Sequence, residues 1–206
     1  MTTHEDRHPT GGHHDWHSQE YVDHWINHDL TRDGERRPIL RDMMTHAPFP
    51  ADAPVEVVDI GAGYGIVAEE ALKAFPNARV TLLDYSAPML EHARRRLAAY
   101  ADRTAFVTAD LSTPAWTEGL VHRFDLAVSG LALHNLLSDG RHLQDLYKET
   151  FSVLRAGGAF LDYDLVSFTG GLDAHLQWLL DAGFGTASSP WSGGTPAVLV
   201  ATMLKD

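Results

Sequence analysis

The sequence predicts an α/β fold: a doubly wound sheet of seven mostly parallel strands, with a C-terminal antiparallel hairpin and a helical segment in front. Three observations predict it. From residue 55 onward, short apolar runs alternate with segments of helical periodicity, the pattern of strand–helix–strand units. The first run ends in three closely spaced glycines, Gly61, Gly63 and Gly65. The last two runs are joined by a short stretch holding the turn Trp191-Ser192-Gly193-Gly194, with no helix between them, so they pair as a hairpin with one antiparallel strand.

The elements follow in order. Residues 1–14, rich in His, Gly and Thr, read as a flexible arm. Trp16 to Met44 has helical spacing, with Tyr21, Trp25 and Ile26 near one face. Pro38 is expected to interrupt it, and a second helix then carries Ile39, Leu40 and Met43. Pro48, Pro50 and Pro54 mark a linker. Residues 15–50 are thus an N-terminal helical unit and 51–206 the main domain. Val55–Ile60 is a buried strand. Ile66–Phe75 is a helix closed by Pro76. Arg79–Leu83 is the second strand. Ser86 caps a helix with the stripe Met89, Leu90, Ala93 and Leu97. Thr104–Val107 and Phe124–Val128 are the third and fourth strands. Leu143, Leu146, Tyr147, Phe151 and Leu154 share a helix face, and that helix is expected to end at Gly157-Gly158. Ala159–Leu165 is the fifth strand and Leu172–Ala182 a helix closed by Gly183. Ala197–Met203 pairs with Gly185–Ser189.

Composition narrows the function. The chain has 206 residues, enough for one domain with a sizeable core. Its formal charge is 16 − 28 = −12, which disfavours nucleic acid and anionic membrane as partners and favours a small molecule. Cysteine is absent, which excludes disulfides and thiolate chemistry. No apolar run approaches the roughly 20 residues of a membrane span. The polar start, MTTHEDRHPTGGHHDWH, lacks a secretory signal, so the expected location is the cytoplasm.

In an open α/β sheet, ligands bind beyond the carboxyl ends of the strands. Gly61-Ala62-Gly63-Tyr64-Gly65 follows the first strand. The third glycine comes one residue too early for the dinucleotide pattern G-x-G-x-x-G. Asp59, just ahead of the loop, would repel a pyrophosphate but suits an ammonium group. Asp84 ends the second strand, where a carboxylate can accept both hydroxyls of a ribose. Asp110 follows the third strand and could accept from an exocyclic amine. A ligand with an ammonium, a ribose and an aminopurine is S-adenosyl-L-methionine.

These residues carry a resemblance. Asp59-Ile60-Gly61-Ala62-Gly63-Tyr64-Gly65 resembles the first motif of class I S-adenosylmethionine-dependent methyltransferases, which have a Rossmann-like fold. Leu83-Asp84-Tyr85-Ser86 with Met89-Leu90 is similar to their second motif, and Ala109-Asp110-Leu111 to their adenine motif. Phe124–His134 resembles the fourth-strand motif of the small-molecule branch, which includes the ubiquinone and menaquinone biosynthesis enzymes. Leu154-Arg155-Ala156-Gly157-Gly158 resembles the turn before their fifth strand. The likeness covers residues 55–203.

The resemblance implies that Gly61, Ala62, Gly63 and Gly65 pass under the methionine part of the cofactor, with Asp59 on its ammonium. Asp84 would bind the ribose, and Tyr85 and Met89 would line the ribose or adenine. Asp110 and the Leu111 N–H would meet the adenine. Ser129, Gly130 and Leu131 would border the sulfonium. It further implies that the N-terminal helices form a lid. His134 is the candidate base, or else a scaffold residue of its motif. Tyr21 is the candidate acceptor-holding group, and Trp25 a candidate to pack on the sulfonium by cation–π contact; otherwise both simply pack the helix on the sheet. The product would be S-adenosyl-L-homocysteine, made by a monomer or homodimer. The alternatives are a protein that binds this cofactor without transferring methyl, or a nicotinamide-dependent oxidoreductase. No metal site is expected, although His24 and His28 have i, i+4 spacing. Asp162 and Asp164 bracket Tyr163 and are expected on alternate faces. Arg94-Arg95-Arg96 reads as a solvated helix face.

Overall fold

A computed structural model describes residues 15–118, 120 and 123–205. The expected arm lies outside the described residues. Two helices lead, α1 (Gln19–Asp29) and α2 (Asp33–Thr45). Then come β1 (Glu56–Ile60), α3 (Ile66–Ala74), β2 (Arg79–Asp84), α4 (Ala87–Arg96), β3 (Thr104–Thr108) and β4 (Phe124–Gly130). The chain continues through α5 (Leu143–Val153), β5 (Leu154–Asp164), α6 (Leu172–Asp181), β6 (Thr186–Ser192) and β7 (Ala197–Thr202).

The seven strands lie in the order β3-β2-β1-β4-β5-β7-β6. β7 runs antiparallel to both β5 and β6, and every other pairing is parallel. Apolar residues line both faces of the inner strands. Val57, Leu126, Val128 and Leu161 pack toward α1–α4. Val58, Ile60, Ala127 and Phe160 pack toward α5 and α6. This two-sided burial explains the continuous apolar runs. The strand order reverses between β1 and β4, and the crevice at that reversal opens beside the glycine loop.

Three expectations are corrected. Pro38 lies inside α2 rather than before it. The break between the helices is instead a 3₁₀ turn at Leu30–Arg32. Pro38 removes one intrahelical bond near the helix start. Burial of Leu40, Met43 and Met44, together with the ion pairs below, holds the helix in spite of that loss. Second, Gly157 and Gly158 do not close α5. Leu154 is already extended, and both glycines lie within β5, where the pairing with β4 shifts register. Third, Trp191 and Ser192 belong to β6, an edge strand that accommodates Pro190 at a register shift.

α2 is fastened to α3 by charge. The Glu70 side chain is 1 % exposed and accepts from Arg37 and, at 3.0 Å, from Arg41. Burial works against ionised Glu69. Hydrogen bonds from Lys73, Arg37 and Arg96 nonetheless hold its carboxyl down to about 2. Its contribution to stability is therefore complete above the ordinary carboxylate range and lost as pH falls toward 2. Glu70→Ala leaves Arg37 without its buried partner. It should lower the unfolding free energy by about 2 kcal/mol, read as a lower urea midpoint at unchanged slope.

Candidate active site

The turn between β1 and α3 is the centre of the site. Gly61 and Gly63 have φ of +69° and +51°, values that L side chains rarely adopt. Their surroundings differ. A Cβ on Gly61 would stand 2.5 Å from the Ala132 Cβ, whereas one on Gly63 would meet nothing within 4 Å. The backbone at Gly63 therefore faces open space, as a cradle under a ligand does.

Two carboxylates shape this turn. Gly65 precedes α3 and has no side chain to cap it. Asp59, fully buried on β1, supplies the missing acceptor, taking the Ala68 N–H on Oδ2 at 2.9 Å. Its other oxygen, Oδ1, has no hydrogen-bond partner. Burial, with the Asp84 charge adding, pushes the Asp59 carboxyl up to about 8. A buried, unpartnered carboxylate oxygen beside an open glycine backbone fits an ammonium group. Asp84 accepts from the Gly63 N–H on Oδ2 and the Ser86 N–H on Oδ1, both at 2.8 Å. Burial raises it too, and these backbone donors oppose the rise. The Ser86 hydroxyl accepts from the Met89 N–H as the expected helix cap.

The adenine side is more open. Asp110 is exposed and accepts from the Ser112 N–H at 2.9 Å. With Thr108, Ala109, Thr113 and Trp116 it lines a cavity of about 210 Å³. Leu111 is buried beside Gly61. Tyr85 is 37 % exposed, its ring edge-on to His17 at 5.0 Å. Met89 is instead turned into the core.

Near the end of β4, the buried Ser129 donates its hydroxyl proton to the Ile60 carbonyl at 2.9 Å, tying β4 to β1 where their pairing ends. Leu131 has φ +54°, the only non-glycine residue above zero among those described. Such strain concentrates at functional turns, and here the Leu131 N–H is held on the Tyr163 carbonyl at 2.7 Å. His134 follows. Its backbone N–H donates to Asp164 Oδ2 at 3.0 Å, and its Nδ1 stands 2.5 Å from Asp164 Oδ1. Nε2 has no partner among the described residues, and the side chain is 21 % exposed. Asp164 thus fixes the ring and leaves the outer nitrogen to the crevice.

Asp164 was the signal hardest to read. Residues two apart in a strand share a face. Asp162 and Asp164 therefore point the same way, toward α5, and not to alternate faces. Burial raises the Tyr147 phenol, and both charges add to the rise. Asp162 lies fully buried, its carboxyl pushed well up by burial and by Asp164.

The helical unit sits on this turn. The Tyr64 hydroxyl lies 2.9 Å from Asp29 Oδ2 and 2.8 Å from Asp33 Oδ1, and the Arg96 guanidinium covers its ring at 4.6 Å. The Ser86 hydroxyl donates to the Trp16 carbonyl at 2.5 Å. Trp16 packs edge-on against Tyr21 and Trp25, centroids 5.4 and 5.2 Å apart, and Trp25 meets Tyr64 at 6.1 Å. Burial raises the Tyr21 phenol. The structure thus gathers Trp25 with the glycine loop and places Tyr21 in the aromatic cluster. Among the described residues, no group of three or more His, Cys, Asp or Glu could hold a metal ion. The sequence reading missed Tyr64 as the tether of the helical unit, because only the fold brings it to Asp29 and Asp33.

Comparison with known proteins places this geometry in a family. A methyltransferase-domain model matches residues 57–158. Trans-aconitate 2-methyltransferase of Paracidovorax citrulli is 38% identical over 112 residues, 54% of this chain and 39% of that protein. A ubiquinone/menaquinone biosynthesis C-methyltransferase of Paracoccus denitrificans is 29% identical over 158 residues, 76% of this chain and 58% of that protein. The chain therefore spans less than two thirds of either relative. An O-methyltransferase family protein from Burkholderia thailandensis superposes with a TM-score of 0.71 at 14% identity, over 92% of this chain and 61% of that one. The glycine turn, the carboxylates at the ends of β1 and β2 and the matched domain agree: the chain belongs to the class I S-adenosylmethionine-dependent methyltransferases.

Proposed function

We propose that the chain transfers a methyl group from S-adenosyl-L-methionine to an oxygen, nitrogen or carbon nucleophile of a small metabolite. The observation that carries this reading is the open Gly63 backbone flanked by the unpartnered Asp59 oxygen and the Asp84 carboxylate. The cofactor supplies a methyl group already activated by positive sulfur. The chain's own residues then bind, orient and deprotonate. Gly61, Ala62, Gly63 and Gly65 underlie the methionine part, Asp59 takes the ammonium, Asp84 the ribose, and Asp110 with Leu111 the adenine. Tyr85 borders the ribose edge. Leu131, held in its strained turn, borders the methyl group together with Gly130. His134 takes the acceptor's proton on Nε2, with Asp164 holding the opposite nitrogen and stabilising the imidazolium. Tyr21 and Trp25 line the lid. The two named relatives are a trans-aconitate 2-methyltransferase and a ubiquinone/menaquinone biosynthesis C-methyltransferase, which supports a small-molecule acceptor. The net charge of −12 favours the same reading over nucleic acid or anionic lipid. No helix of the described residues is long and apolar enough to cross a membrane. The proposal extends to a cytoplasmic setting and to a monomer or homodimer.

Turnover is tested by S-adenosylhomocysteine release across a panel of small acceptors. Cofactor binding with no release for any acceptor would favour a protein that binds without transferring. His134→Ala should lower kcat about 100-fold or more while leaving S-adenosylhomocysteine affinity unchanged. Retention of activity within a few-fold would assign His134 to the scaffold.

Cofactor affinity should depend on pH. Asp59 sits near 8 in the folded chain, against 3.8 for a free carboxyl, so between those values the folded chain holds the extra proton. An ammonium ligand needs the ionised form, so binding displaces that proton and tightens as pH rises. Calorimetry should show S-adenosylhomocysteine binding roughly fiftyfold tighter at pH 8 than at pH 6, with the slope flattened in Asp59→Asn.

The two glycines should separate as well. Gly63→Ala should stay folded, at a cost of about 1–2 kcal/mol for its left-handed φ, yet lose cofactor affinity. Gly61→Ala should lose considerably more stability through its clash with Ala132.

A further inference from the structure

A further cavity, of about 570 Å³, opens where α2 and α3 end against the stretch that leads into β1. Its volume is in the range of small-molecule sites, and it shares no residue with the cofactor turn. α3 starts at the glycine loop, and its nine residues carry the chain about 13 Å away from it. Met44, Ala47, Phe49 and Phe75 form apolar walls. Met44, Ala47 and Phe75 belong to the core, and Phe49 packs half-buried against it.

The remaining wall is charged. Arg41, Glu70 and Lys73 line the cavity together. Arg41 Nε reaches Glu70 Oε2 at 3.0 Å, and Lys73 Nζ reaches Oε1 at 3.3 Å. Two cations thus stand on the two oxygens of one buried carboxylate. Arg37 donates to Glu70 as well. Glu69 takes Arg37, Lys73 and Arg96, and both arginines also reach Asp33. Asp33, Glu69 and Glu70 therefore face Arg37, Arg41, Lys73 and Arg96, which leaves one positive charge in surplus. It falls to Arg41, whose side chain is 61 % exposed. Its two terminal nitrogens have no partner among the described residues. In a chain of net charge −12, a positive surplus beside an apolar cavity is a local exception.

We propose that this cavity is a ligand site, separate from the crevice, for a small monocarboxylate with an apolar body. The carboxylate takes the two free nitrogens of Arg41, which present parallel donors, with the Lys73 ammonium beside them. The body lies against Phe49 and Met44. A single negative charge matches the single surplus positive one. Glu70 in the wall and the negative dipole ends of α2 and α3 disfavour the second charge of a phosphate. The site does not depend on the methyl-transfer reading.

The test titrates the full chain with 2-naphthoate, 2-naphthamide and inorganic phosphate by calorimetry. Naphthoate should bind saturably and roughly tenfold tighter than the amide, the worth of a charge-assisted contact. Arg41→Gln should erase that preference by weakening naphthoate alone, since Glu70 keeps Arg37 and Lys73 to hold the fold. Phe49→Ala should weaken both ligands. Arg95→Gln, an exposed change on α4 outside the cavity, should alter neither. Melting temperatures confirm that the variants fold. Saturating S-adenosylhomocysteine should leave naphthoate affinity unchanged. Absence of saturable binding, equal affinity for the amide, phosphate binding as tight as naphthoate, displacement by S-adenosylhomocysteine, or an equal response to Arg41→Gln and Arg95→Gln would overturn the proposal. If S-adenosylhomocysteine itself does not bind, the methyl-transfer reading fails, and the titrations of the free chain still decide this site.

Discussion

The hydrogen bond from the Gly63 N–H to the Asp84 carboxylate, 2.8 Å long, joins the turns that follow the first two strands. Both turns stand at the edge of the crevice where strand order reverses. Without that bond, Asp84 would keep the Ser86 and Tyr85 N–H groups to offset its burial, and the loop would lose its register against β2. The loop is held from two other sides. Asp59 reaches forward from β1 to cap α3, and Tyr64 reaches up to Asp29 and Asp33. Each contact satisfies a polar group that the core could not otherwise tolerate. Together they leave the Gly63 backbone open.

This arrangement concentrates carboxyl groups where a cationic ligand is expected. Asp59 and Asp84 both lie in low-dielectric surroundings, and each raises the proton affinity of its site. The chain accepts that unfavourable burial in its unliganded form. An ammonium and two hydroxyls would relieve it, which is the physical sense in which the pocket selects its cofactor. Asp164 is held by the Leu165 N–H and by two contacts from His134. A carboxylate so held orients an imidazole more strictly than a solvated one would.

The N-terminal helices connect the two halves of the crevice. Asp29 contacts Tyr64 in the glycine loop and Arg36 above β5, so one carboxylate links the cofactor side to the Tyr163 side. α2 is clamped by Glu70 and Glu69 from α3. The helical unit is therefore seated by ion pairs and hydrogen bonds as well as by the apolar residues Val22, Ile26, Leu40 and Met43. Ionic seating of this kind responds to salt and pH in ways that apolar packing does not.

Short-range pattern alone determined much of this protein. The spacing of Gly61, Gly63 and Gly65 named the loop, because only glycine suits those backbone angles. The alternation of apolar runs with helical stripes set the layer order, because each element must bury one face. Ser86 announced its helix cap through its own hydroxyl. Asp59 and Asp84 could be read as ligand-facing because they end strands. Other features depended on distance in space. The Asp59 cap on α3 and the Tyr64 tether join residues 9 and more than 30 positions apart. The shared face of Asp162 and Asp164 follows from strand geometry, but its partnership with His134 required β4 and β5 to be placed side by side. Pro38 was misread because propensity is local, whereas the buried face and ion pairs that hold α2 belong to the assembled fold. Sequence periodicity records what each segment must bury; which polar groups then meet is decided only when the segments close around one core.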